Sequence, residues 1–263
     1  MLMEVKNLLK ITFLSTKYAI MKEMENKVSF FMNVFFMILN NASFLLVWIV
    51  IYSLKDNING YSFNTVLLLW AIGSGTYGVS HAFFKGAYSL STTVVDGKLD
   101  AFLVMPKSVL IQSILGVSPS AFGDILYGYI VLAITGITPY KLLMFTLFII
   151  LGGILQTCVA IFYGSLSFWL GKVDQFADTF TSLVDMFGTY PDSIFNRFIH
   201  IIFFTIVPVA FIIFIPVKLL VEFNIYNILL LLVGAVIIIL IACITFKRGL
   251  KRYSSSNLMI ARL

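Results

Sequence analysis

Charge is scarce in this 263-residue chain: only 11% of its residues are Asp, Glu, Lys or Arg, against about 25% in soluble domains. That shortage, with 60% hydrophobic residues and a mean hydropathy of +1.01, excludes an ordinary water-soluble domain and makes the bilayer the main solvent. Cysteine is nearly absent. Cys158 and Cys243 both lie in apolar runs, without the paired spacing of a zinc site or the density of a disulfide scaffold, and read as small apolar residues. His81 and His200 are the only histidines. With no H-E-x-x-H pair and no Ser-His-Asp arrangement, an intramembrane protease or a metalloenzyme has no support, so no catalytic and no metal-binding residue is assigned. No G-x-x-x-x-G-K-[ST] sequence occurs either, which excludes the phosphate-cradling loop of the common nucleotide hydrolases.

Long apolar runs are what the chain has in quantity. A span needs roughly 20 such residues, and the pattern predicts an all-α, polytopic membrane protein of about six transmembrane helices, near residues 28–54, 63–84, 118–135, 141–170, 198–220 and 226–246. Residues 28–246 form one membrane domain, with no room for a second, soluble one. Ahead of it, residues 1–27 place Val5, Leu8, Leu9, Phe13 and Leu14 on one helical face and Lys6, Lys10 and Lys17 on another, the pattern of a helix lying on a membrane surface. Charges precede any long apolar core there, so no cleavable leader is expected. Behind the domain, residues 247–263 form a basic tail that can attract anionic lipid. With both termini in the cytoplasm, 15 of the 18 Lys and Arg residues fall inside and only Lys55, Lys141 and Lys218 outside, as the positive-inside rule requires. The net charge of +6 therefore reports topology, and nucleic acid is not an expected partner.

Several local patterns refine this outline. Gly73, Gly75 and Gly78 formally spell a dinucleotide fingerprint, but they sit inside one apolar helix, where glycines let neighbouring helices approach. Ser118 followed by Pro119 reads as the start of the third span. Asp124 is the one acidic residue inside a proposed span, about 8 Å in at 1.5 Å per residue, and is read as a polar site at the cytoplasmic mouth within reach of water or a basic partner. Between Lys172 and Phe187, Phe176, Ala177, Phe180, Leu183, Val184 and Phe187 oppose Asp174, Asp178 and Asp185, which predicts a short amphipathic helix at an interface. Pro208 and Pro216 should kink the fifth span or break its outer end. The segment 85–108 is too polar to span, and its Asp96-Gly97-Lys98-Leu99-Asp100 turn faces the cytoplasm, either as a solvated connection or as a surface for a soluble partner.

Taken in order, the basic start leading into KEMENKVSFFMN, V-D-G-K-L-D-A-F-L-V-M-P from Val95 to Pro106, F-G-D at Phe122, Y-P-D-S-I-F at Tyr190, V-P-V-A-F at Val207 and G-L-K-R-Y-S-S at Gly249 resemble the permease subunits of type-2 ATP-binding-cassette (ABC) exporters, in a branch of largely unassigned substrates. The resemblance covers nearly the whole chain. It implies an elbow helix before the first span, a coupling element between the second and third, and broken helices near the outer end of the fifth, whose start Tyr190 and Pro191 would mark. It makes Gly97, Leu99, Asp100, Leu103 and Pro106 candidates for the coupling contact with an ATPase subunit. The implied partners are a pair of ATP-binding subunits and a second permease, itself or a related chain, in a bacterial plasma membrane. ATP and Mg belong to the partner ATPase, with no cofactor in this chain. Mostly apolar intramembrane side chains suit a hydrophobic or amphipathic cargo moved outward. A stand-alone ion-coupled transporter or channel would want several buried carboxylates, and a membrane scaffold would want long soluble loops.

Overall fold

The computed structural model describes residues 13–14, 17–18, 20–22, 24–55, 57–105 and 108–254. The expected surface helix at 1–27 falls largely outside these residues, and Pro106 and the tail beyond residue 254 fall wholly outside them. The named elements are helical: α1 (Lys27–Leu54), α2 (Phe63–Phe84), α3 (Leu90–Val95), α4 (Asp100–Leu103), α5 (Val109–Ile114), α6 (Ala121–Ile134), α7 (Pro139–Ser165), α8 (Ser167–Leu170), α9 (Asp174–Gly188), α10 (Arg197–Thr205), α11 (Ile215–Val221) and α12 (Ile225–Leu250). Among the described residues, four helical stretches are long and apolar enough to cross a membrane: Ile20–Leu54, Phe63–Val95, Pro139–Leu170 and Ile225–Leu250.

Short polar side chains set the starts of these helices by accepting otherwise orphaned backbone N–H groups. Asn26 accepts from Ser29 at 3.1 Å, Thr138 from Lys141 at 3.2 Å, Asn196 from Ile199 at 3.0 Å and Asn224 from Tyr226 at 2.9 Å. Ser118 does not act this way. Its carbonyl receives the Ala121 N–H at 3.0 Å and Pro119 receives that of Phe122 at 3.2 Å, so Ser118 to Ser120 form a turn and α6 begins at Ala121.

The bundle closes where side chains are smallest. A Cβ on Gly75 would come within 2.7 Å of Ile149 on α7, and one on Gly78 within 2.8 Å of the Ile125 nitrogen and 2.9 Å of the Ala121 oxygen on α6. Gly128 approaches Ala71 on α2 in the same manner. Gly73 is different, since a Cβ there would meet only Ile213, at an ordinary 3.6 Å. Around these contacts lies a core containing Leu69, Ile72, Leu132, Phe145, Leu155 and Ile213, with a second cluster of Leu90, Val94, Leu99, Phe168 and Phe246 at one end. Helix α1 stands apart: of its residues only Trp48 is buried.

Two segments depart from the sequence expectation. The amphipathic helix expected at an interface is α9, and it runs the length of the bundle instead. At one end Thr92 donates to Asp174 at 2.7 Å, and the Val173 N–H to Ser91 at 3.1 Å. Partway along, Gln156 Nε2 on α7 donates to Asp185 Oδ1 at 2.7 Å. Just past the other end, the Tyr61 hydroxyl, from the loop between α1 and α2, donates to Asp192 at 2.6 Å. Asp174 and Asp185 thus find partners inside the bundle, while Asp178 stays exposed.

The segment expected as a span at 198–220 is a hairpin. His200 Nε2 donates to the Asp192 carbonyl at 3.0 Å near its start, and Lys218 pairs with the Asp192 carboxylate near its end. Both ends therefore lie at the Tyr61 end of the bundle. The chain turns at Val207 and Pro208, where the Tyr163 hydroxyl donates to the Ile206 carbonyl at 2.7 Å and satisfies a group that the broken helix leaves free. It returns through a π-helical turn at Ala210–Phe214 into α11. Pro216 follows directly on that π-helical turn, inside the continuous helical stretch Ala210–Val221.

Candidate functional site

Between α1 and the body of the bundle lies a cavity of about 570 Å³, walled by α1, α2, α6 and α9. Five aromatic residues, Phe44, Trp48, Trp70, Tyr77 and Tyr190, contribute to its walls. Phe44 stacks on Trp70 with ring centres 5.6 Å apart, and Trp48 meets Tyr190 edge-on at 5.8 Å. Tyr77 closes another side, its ring stacked at 3.8 Å on His81 below it, which in turn stacks on Tyr88 at 4.0 Å.

Two carboxylates share this cavity. Asp124 is only 3% exposed, and Asn41 Nδ2 donates to its Oδ1 at 2.6 Å. Its Oδ2 has no hydrogen-bond partner among the described residues, and neither does the buried Nε1 of Trp70 on the same wall. Asp185, half-buried on α9, reaches the cavity from the other side while holding Gln156. The Asp124 Oδ1 is bonded to an amide, and no basic side chain lines the cavity. Asp185, Asn41 and Gln156 were missed as site residues. The asparagine and the glutamine inside apolar helices were the signal, because a buried amide needs a polar partner.

The residues proposed from the resemblance gather at the α3–α5 end. Gly97 makes the turn between α3 and α4 with φ of +73°, a conformation that a side chain resists. Leu99 is fully buried against the second core cluster, so it seats the turn and cannot itself touch a docked protein. Asp100 is half-buried and accepts from the Tyr253 hydroxyl at 2.8 Å, which ties the turn to the chain beyond α12. Burial, then the bond to Asp100, pushes the Tyr253 phenol above the usual tyrosine range. Beyond them Leu103, Val104 and Met105 are 46%, 85% and 46% exposed, three consecutive apolar residues outside the core, and Lys98 pairs with Asp96 in the open at 2.7 Å.

At the opposite end, Asp192 joins Tyr61, His200 and Lys218, clamping the α1–α2 loop to both ends of the hairpin. Burial, then the hydrogen bond and charge of Asp192, raises the Tyr61 phenol as well. Among the described residues no group of three or more His, Cys, Asp or Glu side chains is placed to hold a metal ion.

A family model described as ABC-2 family transporter protein matches residues 37–257. No curated protein and no solved structure matches the chain.

Proposed function

The chain belongs to the ABC-2 transporter family as a membrane permease component, and from that premise we propose that it forms half of the path of an ATP-driven exporter for a hydrophobic or amphipathic cargo. Permeases of this family work with ATP-binding subunits and typically lack ATPase activity of their own. The observation that carries the reading is the cavity between α1 and the rest of the bundle, of a size and lining that suit a small-molecule site. In this reading α1, α2, α6, α7, α9 and α12 make six crossings, and the α10–α11 hairpin dips in from the outer face and returns to it. The α3–α5 end and the described end of the chain face the cytoplasm of a bacterial cell. Arg197 moves to the outer side together with Lys55, Lys141 and Lys218, which leaves 14 of the 18 basic residues inside and keeps the positive-inside asymmetry.

A second permease, itself or a related chain, completes the path, and a pair of ATP-binding subunits docks on the surface formed by the Gly97 turn and the residues from Asp100 to Met105. Leu103 and its exposed neighbours supply the touching surface, while Leu99 and the Asp100–Tyr253 bond hold it to α12. ATP binding draws the subunits together and moves the turn as a lever, biasing the cavity between two states of access. Two carboxylates on one cavity would also suit an ion-coupled transporter acting alone, and family membership favours the ATP-driven reading.

Co-purification with a candidate ATP-binding subunit tests the docking. Leu103→Asp should abolish association with the unfolding temperature unchanged, since Leu103 lies outside the core. Leu99→Ala should lower stability by about 2–5 kcal/mol, as core Leu truncations do. Full association of the Leu103→Asp chain sinks the docking surface.

A further inference from the structure

We propose that the cavity takes a cationic amphipathic molecule, its positive centre held between Asp124 and Asp185 and its apolar body laid against Phe44, Trp48, Trp70 and Tyr190. The proposal rests on the permease reading and narrows its cargo to one charge class.

Three independent observations converge on it. The first is the unpartnered Oδ2 of Asp124, a group only 3% exposed, on the wall of a cavity that could hold a ligand. An unpaired carboxylate inside a bilayer protein is costly and marks function, and a ligand ammonium or phosphonium would supply the missing charge. The second is the sign of the lining. Two acids line the cavity and no Lys, Arg or His does, while the groups that hold the acids, Asn41 and Gln156, are neutral amides that orient them without cancelling their charge. An anion placed here would meet like charge in a region of low dielectric. The third is the aromatic wall, whose stacked and edge-on rings offer π-faces that attract cations.

Size separates an organic cation from a metal ion. A bare ion would leave most of about 570 Å³ of largely apolar space unfilled, and the described residues hold no metal-ligating group of three. A drug-sized cation fills both parts of the site.

Tetraphenylphosphonium and tetraphenylborate test this directly, because they share shape and apolar surface and differ in charge sign. Saturable binding of each is measured to the full chain in lipid nanodiscs, with empty nanodiscs subtracted. The phosphonium should bind at least about tenfold more tightly, because its charge is attracted and the borate's repelled by the two carboxylates in a region of low dielectric. Asp124→Asn and Asp185→Asn should each weaken it about tenfold, and Asp178→Asn, an exposed acid on the same helix, should leave it unchanged. Equal affinity for the two ions, no saturable binding of either, or full phosphonium affinity in Asp185→Asn overturns the proposal. Should Asp124→Asn fail to fold after losing its match to Asn41, the Asp185 variant and the wild-type ion pair still decide. Because the assay omits the ATP-binding subunits, it separates the two claims. Lost charge selectivity with intact subunit assembly removes the cationic site alone, whereas retained selectivity without assembly supports the site and removes the ATP-driven reading.

Discussion

Asp192 draws together three parts of the chain that are distant in sequence. Its carboxylate accepts from Tyr61 at 2.6 Å and pairs with Lys218, and its carbonyl accepts from His200. The carboxylate is buried, yet the Lys218 side chain is 48% exposed, so water screens that pair and the Tyr61 bond carries more of the energy. Asp192→Ala should therefore cost about 1–3 kcal/mol, the penalty for stranding a buried donor, read as a lower unfolding temperature in nanodiscs; no change contradicts the clamp. Sequence alone showed Lys218 as an outer-side cation and Y-P-D as a family feature, but not that the two meet. The same limit applies to Leu99 and Leu103. Both are leucines in one short segment, and only packing against Phe168 and Phe246 reveals that the first is core and the second surface.

Helices defined by hydropathy were the most legible elements. The second span was read at 63–84 and α2 is Phe63–Phe84; the first was read at 28–54 and α1 is Lys27–Leu54. Glycine packing was legible in kind but not in detail. Gly75 and Gly78 sit against other helices, whereas Gly73 lines the cavity with room to spare. Gly78→Ala should destabilise by about 1–3 kcal/mol because its obstacles are backbone atoms of α6 that cannot step aside, and Gly73→Ala should unfold as wild type does; equal losses contradict this division. Helix α9 was not legible as a lengthwise element. Its acids looked like a solvent face because their partners, Thr92 and Gln156, lie 82 and 29 residues away in sequence. Its path sets a topology test in a background with Cys158 and Cys243 replaced. Arg197→Cys should react with an impermeant thiol reagent from outside intact cells, and Lys172→Cys only after permeabilisation. Labelling of both from the same side would return α9 to the membrane surface.

For the whole molecule, composition established a membrane protein, and the ordered motifs anticipated the family that the match over residues 37–257 shows. The cavity was beyond reach because it is built from α1, α2, α6 and α9, whose meeting depends on helix packing. Dependence on another subunit is the central claim, and transport in inverted vesicles tests it most directly. A lipophilic fluorescent cation should accumulate only when this chain, its ATP-binding subunits and ATP with Mg are all present, and Leu103→Asp should abolish that accumulation. Accumulation by the chain alone, driven by an ion gradient and indifferent to ATP, would contradict the account.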